Sequence, residues 1–138
     1  MELEQYGFVH VGQWVLCDSV KSGVSFKIDQ LANARVVYAF VVNDEVKYIG
    51  ICEKNSTTLK HRLNRYKSLQ GRGRITEGGE NTNQHNVRLI KECLAAGDVV
   101  LIYALEPSHK FEIANVQVDL VKGLENPLIV KFTPPWNR

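Results

Sequence analysis

The side chains able to do chemistry fall in a fixed order along the chain. Tyr38 comes first, then Tyr48-Ile49-Gly50 with nine residues between the two tyrosines. Leu59-Lys60-His61-Arg62-Leu63-Asn64-Arg65-Tyr66 follows, then Leu124-Glu125, and finally Pro134-Pro135-Trp136-Asn137. Hydrolysis of a phosphodiester needs an activated water, stabilised charge on the phosphoryl oxygens and help for the departing oxygen. These residue types can supply all three. A carboxylate can bind one Mg²⁺ or Mn²⁺, because hard cations favour oxygen ligands. The guanidinium fork matches the non-bridging oxygens of phosphate. A tyrosine hydroxyl can position water and, where its pKa is lowered, accept a proton. Singly, Tyr38 and Tyr48 read as ordinary strand aromatics, Arg62 as a solvated helix residue and Glu125 as a surface carboxylate. It is the set, in this order, that points to chemistry.

The elements that must position them can be read from hydrophobic periodicity. Residues 8–16 and 21–28 alternate as strands around Cys17-Asp18-Ser19-Val20, which predicts an N-terminal hairpin. Val36–Val42 and Val46–Cys52 are β-branched and aromatic runs separated by Asn43-Asp44-Glu45, a second hairpin that carries both tyrosines. A helix begins near Ser56-Thr57-Thr58, with Leu59, Leu63, Tyr66 and Leu69 on one face. Gly71, Gly73, Gly78 and Gly79 mark a long polar loop, of the kind that is usually functional or mobile. Asn86–Ala96 reads as a second helix stopped at Gly97, and Val99–Leu105 as a strand buried on both faces. Val116–Phe132 is helical in pattern, with Pro127 expected to end or kink it. The expected fold class is α/β (α+β): a central, mostly antiparallel sheet flanked by helices, with an added N-terminal hairpin.

Composition excludes several classes. The chain has 138 residues, 44% hydrophobic and 23% charged, which suits one soluble domain over 1–138. Its first 34 residues read as a hairpin extension and 35–138 as the core. No stretch approaches the ~18 apolar residues of a membrane span. Met1–Gln5 is acidic and polar, unlike a secretory signal. Cys17, Cys52 and Cys93 are scattered, without C-x-x-C spacing, which argues against a disulfide framework or a zinc site and fits a reducing cytoplasm. The net charge of +2 says little, but its distribution says more. Lys60, Arg62, Arg65, Lys67, Arg72, Arg74, Arg88 and Lys91 gather eight of the 17 bases in under a quarter of the chain. Such a cluster is either a solvated helix face with its loop or a surface for a phosphate backbone.

The order of these motifs resembles that of the GIY-YIG nuclease family, over about Val36 to Asn137. The resemblance implies that Tyr38 is the general base or orients the attacking water, and that Tyr48 supports the same water and phosphate. It implies that Arg62 stabilises the transition state, that Glu125 is the sole protein ligand to one Mg²⁺ (or Mn²⁺) per site, and that Asn137 is structural. Gly50 would allow close approach at the end of its strand. Two departures stand out. Val36-Val37-Tyr38 replaces Gly-Ile-Tyr, and Tyr66 stands where many members carry histidine, which leaves its part in proton transfer open.

Within that family the segment from Thr82 to Gly97 is similar to the restriction-enzyme branch. The analogy implies DNA contacts from Arg72, Arg74, Asn83 and Arg88, beside Lys60, His61 and Arg65, with the loop from Gly71 to Thr82 ordering on binding. His85 has no partner at metal-ligand spacing; His10 and His109 read as incidental, and His61 adjoins Arg62. The implied activity is cleavage of DNA, double-stranded by preference, without organic cofactor or membrane. One site cuts one strand, so cutting a duplex implies a homodimer or sequential nicking. Rival readings are a repair or homing-type nuclease guided by a partner, and an inactive nucleic-acid-binding module.

Overall fold

Alternation along the third strand decides how the layers form. The computed structural model describes residues 1–69, 79–108 and 110–138. A short 3-10 helix, Glu2–Tyr6, precedes strands β1 (Val9–Leu16), β2 (Val24–Ile28), β3 (Val37–Val42) and β4 (Glu45–Ile51). Helices α1 (Leu59–Lys67) and α2 (Thr82–Ala95) come next, then strand β5 (Val100–Leu105). A small hairpin of β6 (Phe111–Ile113) and β7 (Val116–Val118) leads into helix α3 (Leu120–Phe132). The five longer strands form one sheet in the order β2-β1-β5-β3-β4, with every neighbouring pair antiparallel. On β3, Tyr38, Phe40 and Val42 join Trp14, Ile102 and Ala104 in a core closed by Leu59, Leu63 and Tyr66 of α1 and Val87 and Ile90 of α2. Val37, Ala39 and Val41 face the other way, with Leu3, Ile49 and Tyr103, against Val121 and Leu128 of α3. The fold is therefore α+β, an antiparallel sheet between two helices on one face and one on the other.

Four expectations change in detail. The N-terminal hairpin is no appendage, because β1 pairs with β5 and so joins the main sheet. Helix α2 starts at Thr82, four residues before Asn86, because Asn81 and Gln84 form a reciprocal capping box. Asn81 Oδ1 accepts from Gln84 N at 2.8 Å, and Gln84 Oε1 accepts from Asn81 N at 3.2 Å. Residues 116–118 are strand, not helix; Ala114 and Asn115 at φ 53° and 64° turn β6 back into β7, and Asp119 then caps α3. Helix α3 runs on through Pro127 to Phe132 and does not end there. The carbonyl that loses its donor belongs to Gly123, and both residues are exposed, so water can serve it. Arg72, Arg74 and His109, with most of the expected glycine-rich loop, lie outside the described residues. Among the described residues no helix is long and apolar enough to cross a membrane, and the three cysteines are free.

The two ends of the sheet-to-helix connection are fastened by one residue that periodicity does not flag. Arg35 donates from Nη1 and Nη2 to Asp119 Oδ1 and Oδ2 at 2.8 and 2.7 Å. It also donates from Nε to Lys54 O at 3.0 Å and from Nη2 to Glu53 O at 2.7 Å. Asp119 Oδ1 accepts in turn from Val121 N at 3.1 Å. One guanidinium thus ties the start of α3 to the segment leaving β4. The hydrogen bonds from Arg35 hold the Asp119 carboxyl below the usual aspartate range. A depressed folded-state pKa stabilises the protein above the unfolded value of about 4 and loses that contribution as pH falls further. Asp119→Ala is therefore expected to lower unfolding stability by about 2 kcal/mol at pH 7, combining a lost cap with a lost charged pair. In urea melts the gap between wild type and variant should close as pH drops below about 4.

Candidate active site

Tyrosines 38 and 48 meet because of strand register. Tyr38 stands opposite Gly50 and Phe40 opposite Tyr48, so the two phenols sit diagonally on one face with ring centroids 6.2 Å apart. Gly50 makes this arrangement possible. A Cβ there would lie 2.6 Å from both Cζ and Oη of Tyr38 and 2.8 Å from Cε2 of Tyr48, closer than real carbon contacts allow. The close approach at Gly50 is thus made by two phenol rings.

Helix α1 crosses over this face. Its N-cap Thr58 accepts from His61 N at 3.3 Å, and the buried stripe of Leu59, Leu63 and Tyr66 fixes its rotation. That rotation brings Tyr66 Oη to 2.8 Å from Tyr38 Oη, and Arg62 Cζ to 4.4 Å above the Tyr66 ring. From α2, Asn83 Oδ1 accepts from Arg62 Nη1 at 3.0 Å, and Asn86 Nδ2 donates to Tyr66 Oη at 3.4 Å. On the remaining side stands α3 with Glu125. Tyr38, Tyr48, Arg62, Arg65, Asn83 and Glu125 line one polar cleft of about 610 Å³, together with Glu53 and Lys54. That volume is ample for a phosphodiester and hydrated ion.

Burial sets the charge states. It pushes the Tyr38 phenol well above its ordinary value, with neighbouring Tyr66 adding to the shift, and pushes Tyr48 up in the same way. Both are neutral hydroxyls near pH 7. Burial alone would lower the Arg62 guanidinium, but Tyr38, Tyr66 and Tyr48 around it outweigh that and raise it, so it stays cationic. The half-buried Glu125 carboxyl is raised first by desolvation and then by the negative charge of Glu53, against the opposing pull of Lys122.

The donor chemistry fits a hard divalent cation. Glu125 offers carboxylate oxygens at the cleft with Glu53 close enough to be felt, and Mg²⁺ takes one or two carboxylates and completes its shell with water and phosphate.

No family model matches the chain. It is 31% identical over 106 residues to endonuclease II of Enterobacteria phage T4, covering 74% of this chain and 71% of that protein. The chain belongs to the endonuclease II family. Its fold is close to the structure of a point mutant of bacteriophage T4 EndoII, with a TM-score of 0.72, 22% identity and coverage of 99% of this chain and 96% of that one. It is also similar to restriction endonuclease HPY188I in complex with product DNA, with a TM-score of 0.53, 19% identity and coverage of 95% and 76%.

In this member of the endonuclease II family the expected residues separate into three groups. Tyr38, Tyr48, Arg62 and Glu125 share the cleft, with Arg65 and Asn83 on its wall and Tyr66 fully buried behind Tyr38. Asn137 lies on the sheet edge instead, pairing with Ile49 in both directions: Ile49 N donates to its Oδ1 and its Nδ2 donates to Ile49 O, each at 2.9 Å. Lys60 and His61 do not line the cleft, and Arg88 is engaged by Glu80 at 2.9 Å and Glu92 at 3.3 Å. His85 sits 3.8 Å from Glu80, and burial lowers its pKa. Sequence reasoning missed Glu53, Asn86 and the Arg35 fastening. Two asparagines three residues apart, Asn83 and Asn86, on an otherwise amphipathic helix were the available signal. Gly50→Ala is expected to cost about 1–3 kcal/mol in urea unfolding through overpacking. Ring displacement of even ~1 Å should also cut nuclease activity about 100-fold.

Proposed function

We propose that the chain is a metal-dependent DNA endonuclease whose cleft is a GIY-YIG active site. Membership of the endonuclease II family makes it a nuclease. The finer reading is carried by the convergence of Tyr38, Tyr48, Arg62 and Glu125, from four separate elements, on one cleft.

The residues divide the work by charge. Arg62, cationic and held by Asn83, binds the non-bridging oxygens and stabilises the charge that gathers on them. The neutral hydroxyls of Tyr38 and Tyr48 favour orienting the attacking water and the phosphate over acting as bases. Tyr66, hydrogen-bonded to Tyr38, fixes the direction of that hydroxyl. Glu125, with Glu53 beside it, would hold one Mg²⁺ or Mn²⁺. Such an ion, when bound, supplies a Lewis acid for the phosphoryl and departing oxygens. DNA as the substrate, double-stranded by preference in this reading, accords with the restriction endonuclease of similar fold, which was seen with product DNA. Each site cuts one strand, so duplex cleavage proceeds by a homodimer or by successive nicks, and restriction-type specificity would give discrete fragments.

Supercoiled plasmid incubated with purified protein and Mg²⁺ should become nicked or linear, and chelation should stop it. Arg62→Ala and Glu125→Gln should each lower the cleavage rate by about 10²–10³-fold while leaving folding intact. A wild-type chain that binds DNA yet leaves plasmid intact with Mg²⁺ and Mn²⁺ would establish an inactive binding module instead.

A further inference from the structure

A second groove lies on the other side of α1. His61, Asn64, Arg65 and Ser68 recur at helical spacing and so share the face of α1 turned away from Leu59, Leu63 and Tyr66. Opposite them is the turn between β1 and β2, which contributes Lys21, and Lys67 lies at the end of the helix. Together they enclose about 810 Å³. The lining holds Lys21, Arg65 and Lys67, and no carboxylate among the described residues. Lys91 of α2 packs at the base of the same turn, near Gly23. Asp18 belongs to that turn but does not line the groove.

Arg65 lines this groove and the catalytic cleft alike. The two cavities therefore adjoin at Arg65. From His61 to Ser68 the helix rises about 10 Å, the axial length of roughly three nucleotide steps in a duplex strand. We propose that this groove is a second phosphate-binding track for duplex DNA, holding the strand on the far side of Arg65 from the bond to be cut. The proposal rests on the DNA-endonuclease reading and adds a role for the N-terminal hairpin: its turn forms the outer wall of the track. The occupant is a run of phosphates, because three separated cations with no carboxylate beside them among the described residues suit a charged backbone better than base edges.

The test uses the full chain with Glu125→Gln, so that DNA is bound but not consumed, and a duplex of about 30 base pairs followed by anisotropy across a salt series. Lys21→Ala with Lys67→Ala should make the plot of log affinity against log salt shallower by about 2, or 0.9 for each lost phosphate contact. Binding should weaken more than tenfold near 0.1 M salt, the difference narrowing as salt rises. Lys21→Glu alone, on an exposed turn, should weaken binding in the same direction without altering the melting temperature. Slopes and affinities equal to those of the parent, while the chain with Glu125 intact still cuts plasmid, overturn the track and leave the active-site reading standing. Failure of the parent to bind duplex at all overturns both.

Discussion

A guanidinium carried into a half-buried cleft, with no carboxylate bonded to it among the described residues, is the constraint on which the rest depends. Taking such a charge out of water is costly, and an ion pair would be the ordinary remedy. Arg62 is served instead by the amide oxygen of Asn83 and the face of Tyr66. This holds the side chain still but leaves its charge largely uncancelled. The cleft around it holds Glu53 and Glu125 as well as Lys54 and Arg65, so charges of both signs stand within one polar space. The neutral phenols follow from the same burial, so one desolvated environment sets both the cation and the hydroxyls beside it.

Holding that environment together falls to residues outside the cleft. Gly50 leaves room for two rings to close over a strand. Arg35 joins the exit of β4 to the cap of α3, which fixes where Glu53 and Glu125 stand with respect to each other. At the other end of α3, Trp136 N donates to Lys47 O at 2.8 Å and Asn137 brackets Ile49, so the chain behind the helix lies along the outer edge of β4. That edge would otherwise present unpaired backbone groups. Helix α3 is therefore pinned at both ends to β4 and the segment that leaves it, and these remote bonds set where its carboxylate stands.

Much of this was legible in the sequence, for reasons that vary by element. The hairpin of β3 and β4 was plain because Asn43 and Asp44 tolerate positive φ, here 50° and 65°, between two β-branched runs. The membership of Tyr38, Tyr48, Arg62 and Glu125 in one set could be read from their order. Their meeting depended on register and helix rotation, which no single residue type encodes. The start of α2 escaped because its capping residue is preceded by glycines and an acid that read as loop. The strands β6 and β7 were hidden by an apolar stretch too short for periodicity to separate strand from helix. Arg35 was invisible because its partners, Glu53, Lys54 and Asp119, lie far along the chain and two of them contribute backbone oxygens.

The pairing of β1 with β5 carries a kinetic consequence. Val9 lies opposite Ala104, so the central seam of the sheet joins segments 95 residues apart in sequence. Each hairpin can close locally, but their union must wait for β5 to insert between them, and closing so long a loop is entropically slow. Helix α3, the element that carries Glu125, comes after β5 in the chain and packs against β3 and β4, on the sheet that this seam completes.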